Sequence, residues 1–154
     1  MTALVAGVGN LFFGDDAFGI EVARRLAGAP PRDTEVTDFG IRALHLAYEL
    51  CNPHELCIVA DCVSRGGDPG TLYVIQPDLD EPPCIADAHG MDLRVAFAAA
   101  RELGGTLPAM LVVGCEPERV EPGIGLSLVV SRAVPAAAAL IHDLVERRTR
   151  KDRT

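Results

Sequence analysis

The sequence predicts one three-layer α/β/α domain built on a mostly parallel five-stranded sheet. Short apolar runs of strand length alternate with longer stretches of helical periodicity. The runs lead into Gly, Asn or Asp, and the helical stretches close on Gly or Pro. A chain of 154 residues is long enough to bury a real core, and one domain is the simplest arrangement.

Thr2 to Val8 reads as the first strand, apolar enough to be covered on both faces. Gly7-Val8-Gly9-Asn10 follows as a tight loop, and Asp15 or Asp16 caps a helix running to about Ala27. Phe18, Val22 and Leu26 share its inner face, and Gly28 with Pro30-Pro31 ends it. A short strand, Glu35 to Asp38, leads to Asp38-Phe39-Gly40. The second helix runs from Ile41 to Cys51, with Ile41, Leu44 and Tyr48 at helical spacing. Leu56 to Ala60 is the clearest buried strand and ends in Asp61-Cys62. Thr71 to Ile75 is rich in β-formers, whereas residues 76 to 88 hold four acids and three prolines and read as loop. His89-Gly90 precedes a third helix, Met91 to Leu103, with Leu93, Ala96, Phe97 and Ala100 inward. Ala109 to Val113 is the last strand. Ser127 caps a final helix to about Arg148, which Pro135 should kink or restart. The domain is thus expected over residues 1–148, with 149–154 a disordered basic tail.

A net charge of −8 leaves no basic surface for nucleic-acid phosphates. The Arg147-Arg148-Thr149-Arg150-Lys151 cluster suits a solvated helix end. No apolar stretch approaches bilayer-spanning length and no signal segment opens the chain, so no membrane partner and a cytoplasmic location are expected. Five cysteines without a CxxC pair argue against a disulfide framework or a zinc knuckle.

Asp16 follows the first strand, Asp61 the third, and His89 precedes the third helix. In such a sheet all three fall at the edge where ligands collect, outside the carboxyl ends of the strands. Two carboxylates and an imidazole converging there would suit a borderline divalent metal such as zinc or nickel. Each residue also has a plain structural use: an Asp at a helix start is usually a cap, and a lone His is usually structural. Their joint placement is the argument for a site. Gly7, Gly9 and Gly14 do not fit the spacing of a dinucleotide loop, and no GK[ST] follows. No GxSxG elbow is present. Cys62 with His89 is a conceivable nucleophile pair, but an acidic neighbour and an apolar strand disfavour a thiolate.

Gly7-Val8-Gly9-Asn10 with Asp15-Asp16-Ala17-Phe18-Gly19 closely resembles the N-terminal signature of the nickel–iron hydrogenase maturation endopeptidases. Asp61-Cys62, His89, Gly114 with Glu116-Pro117, and Gly125-Leu126-Ser127 agree in order and spacing over nearly the whole chain. Many members of that family carry Glu where this chain has the shorter Asp16. Their acid after the second strand stands in a Gly-rich turn, of which Asp38-Phe39-Gly40 keeps the acid and one glycine.

The resemblance implies a sheet whose fourth strand is an antiparallel edge. It implies an enzyme that removes a C-terminal extension from a hydrogenase large-subunit precursor once nickel is inserted. Asp16, Asp61 and His89 would grip that nickel, which arrives with the substrate; zinc or cadmium could substitute in vitro. Bound nickel could polarise the scissile carbonyl or a water, with a carboxylate of the site or Asp38 as base. The same ligands would equally serve a non-catalytic nickel-binding checkpoint or chaperone, and an unrelated α/β hydrolase would need a resident metal.

Overall fold

The computed structural model describes residues 2–79 and 93–153. Five strands, β1 (Ala3–Val8), β2 (Thr34–Gly40), β3 (Leu56–Cys62), β4 (Leu72–Ile75) and β5 (Ala109–Cys115), form one sheet in the order β2-β1-β3-β5-β4. All pairings are parallel except β4 with β5, which is antiparallel at the edge. Four helices, α1 (Phe18–Ala27), α2 (Ala43–Leu50), α3 (Leu93–Glu102) and α4 (Leu128–Arg153), cover the two faces.

The two-residue period of the strands divides the core. Ala3 and Val5 of β1 and Leu56, Ile58 and Ala60 of β3 face α1 and α4, packing on Phe18, Val22, Leu26, Ala137 and Ile141. Leu4, Ala6 and Val8 with Cys57 and Val59 face the other way, onto Leu46, Ala47 and Leu50 of α2 and Ala96, Phe97 and Ala100 of α3. Central strands buried on both sides explain why β1 and β3 read as continuous apolar runs.

Several expectations are corrected. Ile41, Leu44 and Tyr48 are 59%, 56% and 57% exposed, because Leu46, Ala47 and Leu50 supply the buried face of α2 instead. That helix is apolar nearly all round, so periodicity alone does not choose its inner side. Neither Asp15 nor Asp16 makes a side-chain cap on α1; both lie in a 3-10 turn, Gly14–Ala17, that precedes it. The Ser127 hydroxyl donates to Asp15 at 2.8 Å. Strand β3 runs on past Ala60, because Asp61 and Cys62 pair with Gly114 and Cys115 of β5.

The tail expected to be disordered from residue 149 is helical to Arg153. Ion pairs one turn apart line it: Arg147 with Asp143, Arg148 with Asp152, and Arg150 with Glu146. The helix also continues through Pro135. At 26 residues α4 is long and apolar enough to cross a membrane by length and composition, contrary to the reading of the sequence. In the fold its apolar stripe, including Val130, Ala133, Ala137, Ile141 and Val145, is buried against the sheet and α1.

Candidate active site

The first loop is positioned by backbone contact that only glycine permits. A Cβ on Gly19 would run into the carbonyls of Val8 and Ala60, so the first turn of α1 sits directly on the ends of β1 and β3. Gly9 has φ 143°, and a Cβ there would meet the Asp16 carbonyl. The glycine spacing therefore serves close packing around Asp16 rather than a phosphate. The Asp16 carboxylate accepts the Asn10 N–H at 2.9 Å, closing the loop on itself.

Asp61 stands beside this turn. Strands β1 and β3 are neighbours in register, with Gly7 opposite Ala60, so Asp61 follows directly after the residue on which α1 rests. Its carboxylate accepts the Cys62 N–H at 2.8 Å. Both aspartates are half-buried. The two carboxylates share an electrostatic neighbour: burial first, then the charge of Asp61 and next that of Asp16, push the Cys62 thiol well above its ordinary range. A thiol so placed stays protonated at neutral pH and is a poor nucleophile. His89, the third expected ligand, lies outside the described residues.

Asp38 lies at the same edge of the sheet but on β2, on the far side of β1 from Asp61. Two strand spacings separate those strands, about 10 Å. Asp38 accepts the Gly40 N–H at 2.9 Å and lies 4.0 Å from the Arg24 guanidinium of α1.

Two carboxylates to which the sequence reading gave no role in the site hold its walls. Asp15 is fully buried. It accepts the N–H groups of Glu118 and Arg119, each at 2.9 Å, and the N–H and hydroxyl of Ser127 at 2.7 and 2.8 Å. Asp15 thus fastens the loop after β5 to the turn carrying Asp16. Glu116, 5% exposed, accepts the N–H groups of Arg65 and Gly66 at 2.7 and 2.8 Å and fixes the loop after Asp61-Cys62. An acid immediately after a buried strand was the available signal for Glu116; for Asp15 the donors lie over 100 residues away.

Removing the Asp15 carboxylate leaves three backbone N–H donors without their acceptor. Each such orphan costs about 1–3 kcal/mol, and Asp15→Ala should destabilise the chain by about 3–5 kcal/mol. Urea unfolding followed by circular dichroism measures it; a loss under about 1 kcal/mol would show that the loop re-satisfies itself with water.

The sequence profile of the hydrogenase maturation proteases matches residues 20–144. The chain belongs to the hydrogenase maturation protease family. It is 29% identical over 143 residues to the hydrogenase 2 maturation protease of Escherichia coli, covering 89% of this chain and 86% of that protein. It is 31% identical over 142 residues to the hydrogenase expression/formation protein HupD of Rhizobium leguminosarum, covering 87% of this chain and 69% of that one. The fold is similar to that of the hydrogenase maturating endopeptidase HybD of Escherichia coli, with a TM-score of 0.81 and 26% identity over 96% of this chain and 94% of that one. Family membership makes this chain a maturation endopeptidase, and the similar fold accounts for the five-stranded sheet with its antiparallel edge.

Proposed function

We propose that this protease removes the C-terminal extension of a nickel–iron hydrogenase large-subunit precursor after nickel insertion, gripping the substrate's nickel through Asp16, Asp61 and His89. The observation that carries the proposal is the placement of Asp16, in the turn that leads into α1 where that helix rests on the ends of β1 and β3, beside Asp61 at the end of β3, with both charges acting on Cys62. Two carboxylates held at one edge by a glycine-packed turn and a strand end form half of a borderline-metal site. Family membership supports a hydrogenase precursor as the partner.

Nickel is substrate here, delivered in the precursor. Gripping it anchors the scissile segment over the sheet edge, which converts cleavage into a positioned, effectively unimolecular step. Held by Asp16, Asp61 and His89, the metal would supply polarisation of the scissile carbonyl or of a water, and a carboxylate of the site, or Asp38 from β2, would take the water's proton. Zinc or cadmium, with similar ligand preferences, would be expected to occupy the same ligands in vitro. Such a reaction needs no protein nucleophile, in keeping with a Cys62 thiol held protonated by its surroundings. The reading also makes the cytoplasm the place of work.

The experiment is an intact-mass measurement of nickel-loaded large subunit before and after incubation with this chain. Loss of a C-terminal fragment is the expected result. An unchanged mass in a stable complex would overturn the protease reading and favour a non-catalytic nickel checkpoint built on the same ligands.

A further inference from the structure

At the opposite edge of the sheet, Glu35, Glu49 and His54 bring two carboxylate oxygens and one imidazole nitrogen within 4.8 Å of one another. Glu35 is the second residue of β2, Glu49 lies in the last turn of α2, and His54 stands two residues before β3. We propose that these three side chains form a second, resident site for a zinc-class divalent cation, separate from the processing site.

The ligand atoms are already gathered. His54 Nε2 lies 2.9 Å from Glu49 Oε1 and 3.9 Å from Glu35 Oε2. An ion bound at about 2.0–2.2 Å to each needs ligand atoms about 3.2–4.4 Å apart, so adjustments under an ångström suffice. The glutamate side chains can make them, because the Glu35 side chain is 68% exposed and that of Glu49 27%. His54 is the fixed member, with only 6% of its side chain exposed. Its Nδ1 is buried without a hydrogen-bond partner, so every polar contact of the ring points at the two carboxylates.

The charge balance favours a cation. Two carboxylates lie against one imidazole, and like charges so close need a proton or a metal between them. A cleft of about 430 Å³, lined by Thr2, Asp33, Thr34, Glu35 and His54, adjoins the cluster and leaves room for the waters that complete a coordination shell. One nitrogen with two carboxylates suits zinc and its neighbours better than calcium or magnesium, which favour oxygen throughout. An ion there would tie the start of β2 to the α2–β3 corner.

The test uses the full chain, stripped of metal and carrying Asp16→Asn and Asp61→Asn to disable the processing site. Asparagine keeps the carbonyl that accepts the Asn10 and Cys62 N–H groups. Zinc is titrated in competition with a chromophoric chelator, and thermal unfolding is followed with and without zinc. One zinc per chain is expected, with a raised unfolding midpoint. Glu49→Gln, His54→Ala and Glu35→Gln should each weaken binding at least about tenfold and abolish the midpoint rise. Glu35→Gln changes an exposed side chain, so it reads out even where His54→Ala compromises folding. Absence of zinc binding in the parent, or affinity unchanged from the parent in Glu35→Gln and Glu49→Gln, would overturn the site.

Discussion

Asp61→Asn should abolish processing while leaving the fold intact. The substitution keeps size and shape, and the amide oxygen still accepts the Cys62 N–H that the carboxylate holds at 2.8 Å. Asp61 is half-buried at the open end of β3, and the strand's pairing with β5 is made by backbone. What disappears is the charge, and a neutral amide is a far weaker ligand for a divalent cation than a carboxylate. Loss of a ligand in a three-ligand grip should slow cleavage by at least about a hundredfold, equivalent to about 2.7 kcal/mol of transition-state stabilisation. Circular dichroism and urea unfolding should match the wild type.

Cys62→Ser, one residue on, is the control that makes the result informative. Burial and the negative charges of Asp61 and Asp16 push the thiol up, which disfavours a thiolate there. The serine variant should retain most activity. If Cys62→Ser is folded yet inactive, and alkylation of Cys62 blocks the wild type, a thiol mechanism replaces the metal one.

Much of this architecture is legible in local sequence because central strands and glycine contacts leave strong marks. Apolar runs at β1 and β3 follow from burial on both faces, and a carboxylate such as Asp61 at the end of such a run stands out against them. The close packing at Gly9 and Gly19 likewise shows as glycine spacing, although its purpose becomes plain only when the Asp16 carbonyl is seen against Gly9. Other features depend on partners distant in the chain. Asp15 and Asp16 are adjacent and locally alike; which one is buried is decided by Glu118, Arg119 and Ser127. The inner face of α2 depends on its register against α3 and the sheet, which an almost uniformly apolar helix does not encode by itself. The Glu35–Glu49–His54 cluster joins three elements and carries no spacing signature.

A precursor lacking nickel should not be cut, even with its cleavage sequence intact. Two carboxylates and one imidazole leave several coordination positions of a nickel ion to be filled from elsewhere, and the precursor's own ligands are suited to fill them. The protease's share of the grip is then weak alone and strong only with the loaded substrate, so metal becomes the recognition element. A short peptide of the C-terminal extension should fail for the same reason: it brings the scissile bond without the anchor that positions it. Positioning of this kind accounts for several powers of ten in rate, and nickel-free precursor should be processed at least about a hundredfold more slowly than the loaded form. The assay compares the two by mass under chelation mild enough to leave inserted nickel in place. Under the proposed nickel grip, adding nickel to the precursor, not to the protease, should restore cleavage, because Asp16 and Asp61 stand half-buried at an open sheet edge, where a metal would complete its shell with the substrate. Equal cleavage of both precursors would remove nickel from recognition and leave Asp16 and Asp61 as carboxylates of an ordinary hydrolase.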